Sequence, residues 1–342
     1  MRHRTFFWFI LPSAVAMILF IALPVGSVFT QSLHVEHEQV LRTVESCGPF
    51  GCEEETVVDR AATEELRAAQ PLGRFAGFSN YTDRNHLAFA ELSAMWERSD
   101  SFADFTRRAM SLPFWRAMAF TLTYTFAVTP LVLVLGLAIA LGVNSLPRAF
   151  RGPTIFVSLL PMIVTPLIGS LVLYWMVDSR GILGAFLQTI TNDPSLSLRA
   201  SPTLTWIMLI VYGIWSSAPF AFIVFYAGLQ TVPEEPLEAA MMDGASRWQR
   251  IRYVVIPHLM PLAVFITLMQ LMDNFRVFEP IVGFQAQASA TSLSYNIFSY
   301  LRGDSAQFGA AATTSMLTIF GVVVLLTPVL IRTWRDFNRK GH

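Results

Sequence analysis

Long apolar runs separated by shorter polar stretches dominate this chain. A bilayer core of roughly 30 Å takes about 20 mostly apolar residues in one helix. Six segments are long enough: Phe6–Phe29, Trp115–Val143, Thr154–Val177, Thr203–Leu229, Leu259–Val282 and Ala310–Ile331. Their interiors carry Pro12, Pro130, Pro161, Pro166, Pro219 and Pro328. Prolines at that density break soluble helices, whereas neighbouring helices let membrane spans tolerate them. The pattern predicts an all-α integral membrane protein with six transmembrane helices. The first segment follows Arg2 and Arg4, as a secretion signal would, but signal cores run only about 7–15 apolar residues. This stretch is longer and no small-x-small cleavage site follows it, so it reads as a retained span.

Basic residues concentrate on the cytoplasmic side of membrane proteins. With the N-terminus inside, the inner segments collect Arg2, Arg4, Arg148, Arg151, Arg247, Arg250, Arg252, Arg332, Arg335, Arg339 and Lys340. The two short outer loops hold only Arg180, Arg199 and Arg302. Both termini are therefore expected in the cytoplasm. The organisation this implies is a first span at 1–30, a periplasmic insert at 31–114, a core of five spans at 115–333 and a cytoplasmic tail at 334–342. An inner loop at 233–257 falls within the core. In the insert, Glu53, Glu54, Glu55, Asp59, Glu64 and Glu65 surround a helix near Thr56–Ala69. A second helical stretch, about Leu87–Met110, carries Phe89, Leu92, Trp96, Phe102 and Phe105. These read as the small core of a solvated cap, with a docking surface for an extracytoplasmic partner as the functional addition. His34, Glu36, His37 and Glu38 read as solvated loop residues rather than metal ligands.

Composition agrees with the spans. Hydrophobic residues make up 54% and charged residues 14% of the 342, where a soluble domain is about a quarter charged. Mean hydropathy is +0.50. Formal net charge is zero and no basic face is visible, which excludes nucleic acid as a partner. Lys340 is the only lysine, and Gly341 follows it. A phosphate-binding P-loop needs Gly-Lys followed by Ser or Thr, so any ATP used must be hydrolysed by another chain. Cys47 and Cys52 lie close together in a polar stretch, as a small disulfide loop or as two independent thiols. The disulfide is preferred, because nothing nearby supplies the further ligands of a zinc site.

The most informative stretch is the inner loop, Val232-Pro233-Glu234-Glu235-Pro236-Leu237-Glu238-Ala239-Ala240-Met241-Met242-Asp243-Gly244-Ala245-Ser246, running on to Ile256-Pro257. It predicts two short helices bent at Gly244, where glycine tolerates positive φ. Glu234 and Glu235 suit the positive end of a helix dipole. Ala239, Ala240 and Ala245 let another protein surface approach closely. This loop resembles the signature of permeases in binding-protein-dependent ABC importers: Glu-Ala-Ala, three residues, Gly, nine residues, Ile, one residue, Leu-Pro. Glu238, Ala239, Ala240, Gly244 and Pro257 match in register, and Val254 and Ile256 stand where Ile and Leu are usual. Asp243-Gly244-Ala245 is the form of the sugar-importing branch, which includes maltose-, glycerol-3-phosphate- and trehalose-type components. Phe75–Tyr81 resembles that family's Phe-x-Gly-Leu-x-Asn-Tyr, Pro113–Ala117 its Phe-Trp-x-Ala, and Phe308–Ala312 the start of its last span. After span five, Ile281-Val282-Gly283-Phe284 departs from the family's Leu-Thr-x-Gly-Gly-Pro.

The resemblance implies an inner-membrane permease subunit that imports a carbohydrate or polyol by alternating access. It implies a second homologous permease, two copies of an ATPase subunit that hold ATP and magnesium, and an extracytoplasmic solute-binding protein. This chain would itself carry no cofactor and no catalytic residue. Glu238, Ala239, Ala240, Asp243 and Gly244 would form the coupling helix seated in the ATPase. By similarity to maltose-type permeases, Ser216, Ser217, Phe220 and Asn274 would contact cargo. Span five also concentrates polar residues that are costly in lipid, among them Gln270 and Asp273. Asp273 is a further candidate for cargo contact. Arg276 and Glu279 are candidates for an ion pair or gate, with Asp273–Arg276 and Arg276–Glu279 both at i,i+3 spacing. Other cargoes that fit are a sulfonated sugar, a glycerol phosphodiester or a polyamine. A membrane enzyme or receptor is the rival class, but no hydrolase elbow, His-Glu-x-x-His or cysteine–histidine spacing is present.

Overall fold

The computed structural model describes residues 3–37, 40–48, 51–193, 197, 201–302 and 306–340, with side chains at 6–37, 40–44, 54–193, 197, 201–302, 306–335 and 338. Six helical segments are long and apolar enough to cross a bilayer: Phe6–Ser32, Pro113–Ser145, Pro166–Thr191, Pro202–Leu229, Arg247–Phe275 and Phe308–Arg335. The described residues divide into two units, Met1–Arg116 with Asn296–Ile319, and Ala117–Tyr295 with Phe320–His342.

In the second unit, span two shows why the helices pack as they do. Phe120, Tyr124, Val128 and Val132 recur every fourth residue and are buried, together with Thr121, Thr125 and Thr129 beside them. Phe126, Leu131 and Val134 on the other side are exposed, as lipid-facing residues must be. Lipid tails are as apolar as leucine, so close packing rather than hydrophobicity drives association of such helices. Small residues make that packing possible. A Cβ at Gly136 would lie 2.6 Å from the Cβ of Ala221 on span four.

Spans three and five differ from the expected boundaries. The expected helix Thr154–Val177 is two helices, Arg148–Ile163 and Pro166–Val177, parted by extended backbone at Val164 and Thr165. Pro166 has no N–H and biases Thr165 away from the helical region, which accounts for the break. A turn before Gly181 then leads to a further helix, Ile182–Thr191. Span five was expected at Leu259–Val282. It ends instead at Phe275, and after Arg276 the chain resumes as a short helix, Glu279–Gly283. At its other end it begins earlier, at Arg247, running through a π-turn at Ile251–Val255.

The first unit holds the insert, and here the all-helical reading is incomplete. Leu41–Gly48 and Gly51–Val58 form an antiparallel hairpin, and His34–Val35 pairs with Arg74–Phe75. The hairpin register sets Cys47 opposite Cys52, while their side chains lie outside the described residues. The first expected helix is present as Arg60–Ala69, with Asp59 capping it by accepting from the Ala62 N–H at 3.1 Å. The second is split into Phe89–Glu97 and Phe102–Ala109. Trp96 and Phe102 gather on Phe105, with ring centroids 5.2 and 6.4 Å apart, while Phe89, Trp96 and Phe102 stay largely exposed. The insert is also tied down by polar contacts. Asn80 of the Phe75–Tyr81 motif donates to the carbonyls of Ser32 and His34 at 2.9 and 3.0 Å. Tyr81 Oη and Ser32 Oγ lie 2.7 Å apart. At the start of span six, the Glu36 carboxylate accepts from the Gly309 N–H, and His86 Nε2 lies 3.1 Å from both the Ala310 carbonyl and Thr314 Oγ1.

Two outcomes follow from this packing. Gly136→Ala should cost about 1–3 kcal/mol, seen as a lower melting temperature of the purified chain. Burial holds the His86 imidazole below its ordinary pKa of 6.5, although the Ala310 carbonyl and Asp83 act the other way. The unfolded chain therefore takes up a proton that the folded one resists. Stability should be full above 6.5 and fall as pH drops below it, and His86→Gln should flatten that slope in a melting series.

Candidate translocation cavity and coupling hairpin

The second unit contains an open cavity of about 570 Å³, and both helix breaks border it. Val164 and Pro166 come from the break in span three, and Arg276, Val277, Glu279 and Pro280 from the break after span five. Ser216 and Ser217 of span four, Asp273 and Asn274 of span five, and Tyr124 of span two complete the polar lining. Non-helical backbone at membrane depth is tolerated where it lines a cavity, because its freed N–H and C=O groups need partners that lipid cannot supply. Tyr212 ties span four to this break, donating to the Pro166 carbonyl at 2.6 Å.

The cavity brings together Ser216, Ser217, Asp273, Asn274, Arg276 and Glu279, all singled out in the sequence. Phe220 does not line it; its ring sits 6.4 Å from that of Phe265. Of the two i,i+3 pairings, the one formed is Arg276 Nη2 to Asp273 Oδ1 at 3.1 Å, with both side chains more than half exposed. The alternative, Arg276 with Glu279, is not formed because the helix ends between them. Asn274 is buried, and its amide donates to Thr129 Oγ1 at 3.1 Å and Gln270 Oε1 at 3.4 Å. Its amide hydrogens thus hold spans two and five together. Sequence reasoning passed over Tyr124. The signal was there, in the polar stripe Thr121, Thr125 and Thr129 one step round the same helix.

At the other end of span five, the loop folds as a capped hairpin. Helix Glu234–Met242 starts after Pro233 with Glu234 and Glu235 in its first turn. It ends in a Schellman motif: the Ala245 N–H donates to the Ala240 carbonyl at 2.9 Å and the Gly244 N–H to that of Met241 at 3.0 Å. Gly244 sits at φ +75°, the left-handed position the motif demands. Ser246 then opens the next helix with a capping box, its N–H donating to Gln249 Oε1 at 2.7 Å and its Oγ accepting from the Gln249 N–H. Glu238, Ala239, Met241, Met242, Asp243 and Trp248 are exposed, while Leu237 faces the core. The expected second short helix is not separate, since Arg247–Arg250 runs on into span five. Among the described residues no group of His, Cys, Asp and Glu is arranged to hold a metal ion. Glu38 lies outside the described residues. His34 Nδ1 is 2.7 Å from the Thr30 carbonyl.

A family model for the inner membrane component of binding-protein-dependent transport systems matches residues 109–334. The chain belongs to that family. Among similar proteins, the trehalose/maltose transport system permease of Thermococcus litoralis is 28% identical over 227 residues, covering 65% of this chain and 75% of that protein. The trehalose transport system permease of Mycobacterium tuberculosis is 30% identical over 224 residues, 64% of this chain and 69% of its own length. In fold, this inner membrane component resembles a chain of a bacterial ABC transporter involved in import of the acidic polysaccharide alginate, with a TM-score of 0.65 at 20% identity over 98% of this chain and 96% of that one.

The hairpin's caps are separable by substitution. Ser246→Ala should cost about 0.5–2 kcal/mol through loss of the N-cap. Gly244→Val should cost more, since a β-branched residue at positive φ is strained. Amide exchange across 234–250 should accelerate in both variants, most in the second.

Proposed function

We propose that the chain is one of two pore-forming permease subunits of an ATP-driven importer, and that its cargo is a neutral carbohydrate or polyol. The observation that carries this reading is the continuity of span five. One helical segment, Arg247–Phe275, leads from the exposed hairpin to residues beside the cavity. At 1.5 Å per residue it is roughly 40 Å long. In this reading the hairpin seats Glu238, Ala239, Ala240, Asp243 and Gly244 in a groove of an ATPase subunit, one of two that hold ATP and magnesium. Closure of the ATPase pair moves the hairpin, and span five carries the motion to the lining formed by Asp273 and Arg276. Cargo and nucleotide each shift the inward–outward equilibrium only by their differential affinity for the two states. The chain catalyses no reaction itself.

Arginine placement supports a topology with both termini in the cytoplasm and residues 31–114 outside. The exposed Phe89, Trp96 and Phe102 of that insert suit a docking surface for the solute-binding protein. Cargo chemistry is read from the cavity. Ser216 and Ser217 offer hydroxyls, and Asp273 and Glu279 offer carboxylates that accept from sugar hydroxyls. Arg276 is already answered by Asp273, which leaves no surplus cation for an anionic cargo. The sugar named for the two relatives above agrees with this class.

Glu238→Arg should leave the chain in the membrane while the ATPase no longer copurifies and uptake into proteoliposomes falls more than about 10-fold, a loss of over 1.4 kcal/mol in coupling. Ser217→Trp should block uptake with the ATPase still bound. Normal uptake by the first variant removes the coupling assignment; normal uptake by the second removes the cavity.

A further inference from the structure

Where spans two and four end and span five begins, the second unit holds another open cavity, of about 310 Å³, that the transport reading does not use. Ser145 is the last residue of span two, Leu229 the last of span four and Arg247 the first of span five. All three line it, together with Arg250 and with Leu237 of the hairpin. Its floor is apolar, since Leu141, Leu229, Leu237 and Val255 belong to the core of the unit or pack against it. Its charge is one-sided: Arg247 and Arg250 are in the lining, and no Asp or Glu is. Among the described residues neither arginine side chain makes a hydrogen bond or an ion pair. Arg151, just beyond span two, is by contrast committed, donating to the Leu146 and Asn144 carbonyls at 2.8 and 3.0 Å. Arg250 is half-buried, with its Nε closed off and unpartnered while its Nη groups are not buried. An occupant therefore meets the Nη groups, which share the same delocalised charge. A cation partly withdrawn from water without a counter-charge is costly, and an anion in the cavity removes that cost.

We propose that this cavity holds the phosphate headgroup of an anionic phospholipid, bridged by Arg247 and Arg250. The planar fork of arginine N–H donors matches phosphate oxygens, and the apolar floor behind it strengthens the attraction by excluding water. Asn144 accepts from Gln230 through its Oδ1 at 3.3 Å, which leaves its amide N–H groups as further donors at the lining. Place identifies lipid as the source. The ends of three spans mark the level at which headgroups lie, and basic pockets between spans at that level take anionic lipid headgroups. A zwitterionic headgroup brings its own cation towards two arginines, so the site selects net negative lipids. A lipid seated here touches Leu237 of the hairpin and the ends of spans two and four at once, and so ties the hairpin to the bundle. The inference rests on the proposed function only for assigning this end of the spans to the cytoplasmic leaflet. Binding is read without cargo or nucleotide, so each can fail without the other.

The test uses the purified full chain in detergent, with bound lipid counted by native mass spectrometry and the melting temperature followed in parallel. Phosphatidylglycerol should be retained as an adduct and should raise the melting temperature; phosphatidylcholine at the same concentration should do neither. Arg247→Gln combined with Arg250→Gln should weaken phosphatidylglycerol binding by about 10-fold or more. Ser145→Trp, which fills the cavity and keeps both arginines, should weaken it as much, so the outcome does not hang on one variant folding. Arg252→Gln removes the same kind of charge from an exposed residue of the same segment outside the lining, and should leave binding unchanged. Equal retention of the two lipids overturns the proposal, as does binding unaffected by both cavity variants or weakened as much by Arg252→Gln. Inorganic phosphate raising the melting temperature as far as phosphatidylglycerol also overturns it, and makes the site one for free phosphate. Loss of the adduct when an ATPase subunit copurifies overturns it as well, and identifies an acidic side chain of that subunit as the occupant.

Discussion

Lipid cannot hydrogen-bond a peptide group, and the architecture of the second unit follows from that constraint. Unbroken helices satisfy their own backbone, so any interruption needs local compensation. The breaks at Val164–Thr165 and at Arg276–Phe278 border one cavity, where polar side chains and solvent can serve them. Tyr212, donating to the Pro166 carbonyl, ties span four to the first of these breaks. Polar side chains and backbone breaks thus meet in the same place. A cavity in this fold is where the helices are allowed to stop.

Span five joins the exposed hairpin to the lining of the cavity. One end leaves a hairpin whose turn is held by a Schellman motif on one side and a capping box on the other. Its far end carries Gln270 and Asn274, whose bonds to each other and to Thr129 pin it to span two. Both ends are thus held by hydrogen bonds beyond those of the helix itself. Small residues at the crossing of spans two and four, Gly136 against Ala221, extend the stiff body sideways.

Much of this was legible in the sequence, and what was not has specific causes. Apolar run length located six spans because bilayer thickness fixes the length a span needs. The hairpin was legible because Gly244 and the acidic first turn are local signals. The end of span five was misplaced because Val277, Ile281 and Val282 are as apolar as the residues of a helix, and hydropathy does not report whether the backbone stays helical across Arg276. The strands Leu41–Gly48 and Gly51–Val58 escaped notice because they are polar and acidic, without a strong alternating apolar face. In the cavity, residue type flagged six lining positions, but only coordinates separate the Asn274 amide, bound to Thr129 and Gln270, from the Asp273–Arg276 pair at the lining. The aromatic Phe220 fitted the sequence pattern and turned out to belong to the packing around Phe265.

The wide turn at Ile251–Val255 sits between the exposed hairpin and the face that lines the cavity. Each residue of an α-helix advances about 100° around its axis, so the length of this short stretch sets the azimuth of one end against the other. Exchanging one aliphatic side chain for another there, as Val254 does for the usual isoleucine, leaves the phase intact. Removing a single residue would swing Asp273 a quarter-turn or more around the helix relative to the hairpin, and in the transport cycle proposed above the two ends of the span would then act out of phase.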